Sequence, residues 1–483
     1  MKILLTLLMF LFGTIIWSQD YHHWAEHFGA RASLLGGAAT SGLGDNATAY
    51  YNPAAMAFVK DPSLSISVNA YRFRSLQLEN GLGTGLDLKE GQFSTMPNLI
   101  AGILTLKKHP KIRFGYAVLT RRAFKSKFDF LYEGKHDILA TTAGAEQFVA
   151  SYNYQHHLME YWAGAGLSWQ ISEGFAIGLA HYGIYRDVKY SNSHSTEILP
   201  YDLVTGDVSS ISTNVTFNYY NIKGVFKPSI ALDVGNFRLG ITATTPSFNM
   251  LGKANVYRDY AVINLDQYFG IDVAFKDRAD RVNAKHKENG SIAFGVSWRM
   301  GKRAWLHITN ETFFGGKRYF IYDVDERPNT YPDLITDSLI YQWFGDQNFM
   351  SMTEETTAIT NLGLGLEAPI GKRWDLYLGA RTDFLFNEQP YYTFSTIGVE
   401  SSKWNLFHFS LGIVHLTKKN KRYTVGVEYG VAPRRNLYHV IDFTTPTLSN
   451  ALLGNPSDNL YANSHSFKLL FEIEIGIKKT ANQ

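Results

Sequence analysis

From Leu64 onward, apolar and polar residues alternate with a period of two. Leu64, Ile66, Val68 and Ala70 alternate with Ser65, Ser67 and Asn69, and Ile112, Phe114, Tyr116 and Val118 with Arg113, Gly115 and Ala117. The pattern returns at 237–244, 292–299, 362–368 and 423–430, and ends in Phe467, Leu469, Phe471, Ile473, Ile475 and Ile477 on one face. Side chains of a strand point alternately to its two faces, so each run predicts a strand with one apolar and one polar side. Six short breaks join the runs in pairs: Lys107–Lys111, Ile171–Gly174, Gly235-Asn236, Met300–Arg303, Gly371–Arg373 and Lys418–Lys421. Between the pairs lie long polar stretches read as loops, among them 248–287 and 315–357. Short turns alternating with long loops predict a membrane barrel, with turns at one end and loops at the other. Six hairpins, a strand before them from Leu64 and a last one from Ser466 make fourteen. The expected fold is all-β: a fourteen-stranded antiparallel transmembrane β-barrel, with Phe471, Ile473 and Ile475 on lipid and Glu472 and Glu474 in the lumen.

Composition agrees. Charged residues are 18% and aromatics 14%, with 29 Tyr and 32 Phe, which suits a surface shared between lipid and water. A net charge of +3 without a basic cluster gives no footprint for nucleic acid. There is no cysteine, hence no disulfide framework or thiolate metal site. Residues 1–18, with Lys2 followed by an apolar run, read as a signal peptide cut after Ser18. Trp169, Trp298, Trp305 and Trp374 lie near predicted turns, and Trp162 and Trp404 at the other strand ends, as two interfacial girdles would require, although Trp305 and Trp162 fall on the lumen parity and need a bulge or a lumen role.

One stretch has neither period. Gly29–Phe58 is rich in Gly and Ala yet carries Leu34, Leu35, Tyr50, Tyr51, Met56 and Phe58, which a solvated linker does not need. It reads as a compact plug inside something hollow. Its runs Gly36-Gly37-Ala38, Gly44-Asp45-Asn46-Ala47-Thr48-Ala49 and Tyr51-Asn52-Pro53-Ala54 resemble the N-terminal hatch of the FadL/TodX family of outer-membrane transport proteins. The hatch-motif residues are Gly36, Gly37, Asp45, Asn52, Pro53 and Ala54. The resemblance implies a bacterial outer-membrane channel for passive uptake of hydrophobic molecules such as long-chain fatty acids, with both termini periplasmic. It divides the chain into signal peptide 1–18, hatch 19–62, barrel 63–478 and a periplasmic tail 479–483. It also implies a kink in the third strand that opens the wall sideways; the matching strand is Ile112–Thr120, with Gly115 as the bending residue. The same segment is similar to the PorV-like barrels of type IX secretion, so the alternative is a barrel that docks a protein partner of the envelope. The chain departs from the usual pattern by ending 477–483 without a terminal aromatic.

Lumen-facing charges by parity are Lys227, Asp233, Arg299, Glu367, Asp375, Arg381, Asp383, Arg422, Glu428, Glu472 and Glu474. Arg381 and Arg422 are the candidate ligand-binding cations for an acid head group, provided neighbouring acids leave them unpaired. The other reading of these charges is a mutually paired interior network. His22, His23 and His27 lack the fixed spacing of a metal site and read as surface residues; no metal or cofactor is assigned. His181, His307, His408 and His415 fall in no nucleophile–base motif, so no enzymatic activity is expected. Hydrophobic small molecules or lipids are the expected partners.

Overall fold

A computed structural model describes residues 22–59, 63–106, 108–140, 144–199, 207–266, 272–324, 350–386, 404–417, 421–439, 441–455 and 457–476. The expected signal peptide and C-terminal tail lie outside the described residues. The strands are β1 (Ser63–Glu79), β2 (Leu88–Thr105), β3 (Ile112–His136), β4 (Glu146–Ser172), β5 (Phe175–Leu199), β6 (Ser209–Val234), β7 (Phe237–Thr244), β8 (Phe248–Ile263) and β9 (Val273–Asn283). They continue with β10 (Ser291–Met300), β11 (Ala304–Phe313), β12 (Gly316–Tyr322), β13 (Met352–Thr356), β14 (Ile359–Pro369), β15 (Trp374–Asp383), β16 (Leu406–Leu416), β17 (Arg422–His439) and β18 (Ser457–Gly476).

Fourteen of these close one antiparallel barrel, in the order β5-β4-β3-β2-β1-β18-β17-β16-β15-β14-β11-β10-β7-β6, with β6 returning to β5. The predicted turns fall between β2 and β3, β4 and β5, β6 and β7, β10 and β11, β14 and β15, and β16 and β17. The two stretches read as loops are partly strand. β8 pairs with the far half of β6 and β9 with β8, extending that wall outward, while β12 and β13 form a separate hairpin. Polar and charged residues such as Lys253, Asn255 and Asp259 in β8 and Lys276, Asp277 and Arg278 in β9 are what make the first stretch read as a loop.

Wall height is uneven. β3 to β6 run 25 to 27 residues, whereas β7, β10, β11, β14, β15 and β16 run 8 to 11. About 10 tilted residues cross a membrane, so the tall strands stand well outside it. On the near-turn band the outer face carries Leu167, Leu179, Ile230, Ile292, Leu364 and Ile413, all exposed. Trp169, Trp298 and Trp374 face outward beside the turns, as expected of a girdle. The opposite girdle is not Trp162 and Trp404, which are buried inside. A row of Phe93, Phe73, Phe467, Tyr429 and Phe409, each the cross-strand partner of the next, takes that place. Trp305 also points inward, with the Arg238 guanidinium over its ring. In β18, Ile475 is exposed and Glu472 buried, so the expected register holds.

Beyond the band, the interior is filled by an apolar core that includes Phe124, Phe128, Phe148, Tyr152, Tyr154, Tyr190, Phe217, Trp404 and Phe443. Within the band it is filled by residues 22–59.

Candidate functional site: the filled lumen and the seam beside it

The N-terminal segment seats itself on glycines of the wall. A Cβ on Gly240 or Gly295 would strike the backbone at Thr40 and Ser41, one on Gly178 the backbone at Pro53 and Ala54, and one on Gly379 or Gly363 the backbone of Gly36. Small inward positions thus let two backbones meet across the lumen.

The hatch-motif residues shape this segment. The helix Ala30–Leu34 ends as Gly36 and Gly37 turn into positive φ, at 62° and 73°, with the Gly37 N–H on the Ala32 carbonyl at 2.8 Å. Asp45 accepts from the Ala47 N–H at 3.1 Å and faces Arg31 at 3.7 Å; Arg31 also pairs with Glu367 on β14 at 2.5 Å. Asn52 caps the 3₁₀ turn Pro53–Phe58 through the Ala55 N–H, and its amide donates to the carbonyls of Thr40 and Ile230. The Ala54 N–H donates to Ser229 on β6 at 2.8 Å.

Residues 22–29 form a strap across the lumen above this body. His22 and His27 are buried and His23 half-buried, so the surface reading of these histidines is corrected. The sequence missed it because nothing local shows that the chain runs inside its own barrel. His23 stacks between Phe313 and Phe386, with ring centroids 4.1 and 4.4 Å away. The Trp24 indole donates to Glu311 at 2.8 Å. Glu26 pairs with Arg72 at 2.8 Å and Lys468 at 3.0 Å. Asn98 donates to the His27 carbonyl and accepts from the Gly29 N–H.

The two ligand-binding candidates are both engaged. Arg381 holds Glu428 through both terminal nitrogens, at 2.6 and 3.0 Å, and also reaches the Trp24 carbonyl. Arg422 pairs with Glu474, directly opposite on β18, at 2.8 Å. Both fit the paired-network reading. A different cation stands apart. Lys227, on β6, is buried with its ammonium 3.9 Å from the centre of the Tyr50 ring, and has no carboxylate in ion-pair reach among the described residues. It lines a cavity with Arg121, Tyr50, Thr242 and Glu311. An adjoining cavity shares Tyr50, Arg121 and Glu311 and adds Trp162, Phe313 and Phe386. Parity placed Lys227 in the lumen; the clue to its isolation is its cross-strand neighbour, Ala180.

Glu160, His286 and Glu288 bring ligand-type atoms within 4.8 Å of one another. Lys223 already supplies the cation there, its Nζ 2.6 Å from His286, 2.9 Å from Glu288 and 3.6 Å from Glu160.

The wall is interrupted beside these cavities. β2 and β3 pair only from Leu99–Leu119 to Thr105–Arg113. Above that level β2 follows β1 and β3 follows β4, leaving a seam. The bend in β3 is not at Gly115, which pairs regularly with Ile103 and Gly166 and makes room for Met56. It lies at Arg121, where the register with β4 shifts by one residue. On β2 the register with β1 shifts at Asn98, beside Pro97, which has no N–H to give. Side chains replace the missing ladder. Arg72 donates to the Ala123 carbonyl, Arg74 to that of Lys125, and Thr120 to that of Pro97. Glu90 accepts from the Ser126 hydroxyl and the Lys127 N–H. Backbone polar groups that lose a ladder partner need such replacements.

No family model matches the chain, and no curated protein matches its sequence. Solved structures match its fold over nearly its whole length. A Pseudomonas aeruginosa FadL homologue superposes with a TM-score of 0.62 at 12% identity, covering 96% of this chain and 100% of the homologue. The P. putida toluene transporter TodX gives 0.58 at 11% identity, covering 94% and 99%. The Ralstonia pickettii toluene transporter TbuX gives 0.54 at 9% identity, covering 94% and 99%.

Proposed function

We propose that this protein is a bacterial outer-membrane channel for passive passage of hydrophobic molecules, and that its ligand is an amphiphile with an acidic head, such as a long-chain fatty acid. The fold shared with a FadL homologue and with toluene transporters supports the general class. The observation that carries the reading is the seam in the wall, opening beside aromatic-lined cavities above a filled lumen. Residues 22–59 act as the plug, and the seam offers a sideways route for a molecule that water would not carry.

Lys227 sets the head-group preference. An ammonium set against a ring, with no carboxylate in ion-pair reach among the described residues, gains more from a carboxylate than from a hydrocarbon. An acyl chain supplies affinity by area alone, at ~25 cal/mol per Å² removed from water. The test is equilibrium binding to delipidated protein of a labelled long-chain fatty acid and of a neutral monoaromatic. Lys227→Gln is expected to weaken the acid about tenfold and leave the neutral ligand unchanged. Equal loss for both would remove Lys227 from the site. Failure of every amphiphile and hydrocarbon to bind would transfer the assignment to the protein-docking class.

A further inference from the structure

On its outer face the tall wall changes chemistry in a fixed order with height above the membrane. Within the lipid band the exposed residues are apolar, such as Leu167 on β4, Leu179 on β5 and Ile230 on β6. That run closes on Tyr161 and Tyr185, exposed cross-strand partners of the kind that sits at a membrane interface. Four residues farther out on each strand, about 13 Å along the chain, His157 and Lys189 stand side by side. β3 adds Lys125 as the other partner of His157. The two lysines are exposed and the ring between them is half-buried. Neither lysine has a carboxylate in ion-pair reach among the described residues; Asp187, two residues before Lys189 on the same face, is the acid beside the row. The next lysine outward, Lys127, is already paired with Asp129 at 2.5 Å. Beyond the lysines, β4, β5 and β6 carry two uncharged rows of cross-strand partners, Gln155–Ser191–Thr216 and Asn153–Ser193–Asn214.

We propose that the outer face of β3–β6 is a docking surface for a phosphorylated glycolipid of the outer leaflet, with its phosphate between Lys125 and Lys189 and its sugars on the Gln155 and Asn153 rows. Neighbouring strands lie about 4.8 Å apart, so the two lysines leave the sheet about 10 Å from each other with only the imidazole between them. Their flexible stems let both ammoniums close on one anion above His157. Apolar, aromatic, cationic, then hydroxyl and amide is the order met along the acyl chains, interface, phosphate and sugars of such a lipid. A soluble anion has no need of this order; a lipid is held at a height the bilayer fixes, so its parts meet the rows in turn. The strands β14, β15 and β16, 10 or 11 residues long, end too low to offer the last two rows. The tall wall therefore holds one lipid against itself and sets how deeply the barrel sits in the leaflet.

This rests on the outer-membrane placement and not on what the lumen carries. The test titrates delipidated protein in detergent with four probes: a short-sugar lipopolysaccharide, the same lipid stripped of phosphate, phosphatidic acid and inorganic phosphate. Native mass spectrometry counts the bound molecules. The intact glycolipid is expected to bind about tenfold more tightly than the stripped form, and more tightly than phosphatidic acid, which has the phosphate without the sugars. Lys125→Gln and Lys189→Gln together are expected to abolish the tenfold advantage and to leave the stripped form unchanged, because they act on the phosphate alone. Both side chains are exposed, so the fold survives their loss; Lys135→Gln, an exposed lysine ten residues farther along β3, is the control expected to change nothing. A double variant that still prefers the phosphorylated form would overturn the proposal. So would equal binding of phosphatidic acid, the mark of a plain anionic-lipid strip, or displacement by an equal concentration of inorganic phosphate. Fatty-acid binding is expected to be the same in the double variant and the wild type. A wild type that binds no fatty acid yet shows this glycolipid pattern sinks the channel reading alone; one that binds fatty acid and no glycolipid sinks this proposal alone.

Discussion

β4 is one unbroken pleat with two opposite chemistries. Even-numbered side chains point inward from Glu146 to Ser168. Near the turn, the outward residues are Ala163, Ala165, Leu167 and Trp169 and the inward ones Gly164, Gly166 and Ser168. Farther out, Gln147, Ser151, Asn153 and Gln155 point outward, while Phe148, Ala150, Tyr152 and Tyr154 are buried inside. The first arrangement suits lipid outside and, on small inward residues, the closely seated segment 22–59 inside; the second suits water outside and a packed core inside. Its neighbour β3 crosses the same boundary another way. Its aromatics stay at even positions, yet Phe114, Tyr116 and the neighbouring Val118 lie on the outer face while Phe124 and Phe128 are inside. The extra residue at Arg121 moves the set from one face to the other. One strand changes composition, the other changes register, and only the second leaves a gap in the ladder. The seam is therefore a by-product of how β3 passes from membrane to water.

The largest effect that can test the division concerns what fills each half. Deleting Gly36–Ala54 removes the body of the segment seated on the wall glycines, yet no barrel strand. The expected outcome is a folded barrel that conducts small ions in planar bilayers where the intact chain does not. Unchanged conductance would show that the band is sealed by something other than residues 22–59.

A smaller effect addresses the outer faces. Leu167→Arg and Gln155→Arg place the same charge on the same side of β4, twelve residues apart. The first puts it in the lipid band, at a cost of about 2 kcal/mol; the second puts it in water, within about 0.5 kcal/mol of neutral. Urea unfolding of the reconstituted protein measures both. Equal losses would mean that the membrane covers the head as well, and the boundary drawn at Arg121 would be wrong.

Strands, turns and the lumen parity of β18 could all be read from the sequence, because a period of two survives in every wall strand. In a tall strand such as β4 the lipid face could not, since Tyr152 and Leu167 are both large and apolar in an alternation count yet point in opposite directions in the barrel. Charge pairing was partly legible. Arg422 and Glu474 are directly opposite once the register is known, whereas Arg381 reaches Glu428 past β16, two strands away. The strap was the least legible element. Its histidines, Glu26 and Trp24 find partners on β1, β2, β3, β11, β15 and β18, contacts that no local pattern announces.

The smallest expected effect is a pH dependence confined to the head. His194 lies on the outer part of β5, beyond the lipid band, where its ring is buried and its Nδ1 has no hydrogen-bond partner among the described residues. Burial pushes its pKa down from 6.5 to about 3, because the charged ring would lose its water without gaining a counter-charge. In the unfolded chain the ring titrates near its ordinary value. Between the two pKa values the unfolded state binds the proton and the folded state does not, so stability falls as pH drops below about 6.5 and levels off only near 3. The slope for one such group approaches 1.4 kcal/mol per pH unit, and relaxation around the ring reduces it to about 1 kcal/mol lost between pH 6 and 5. His194→Gln removes the titration, so the variant's stability should be flatter than wild type across that interval by the same amount. Urea midpoints at the two pH values measure the difference. An identical slope in variant and parent would show that water reaches His194, and that the head is less tightly packed than the band is filled.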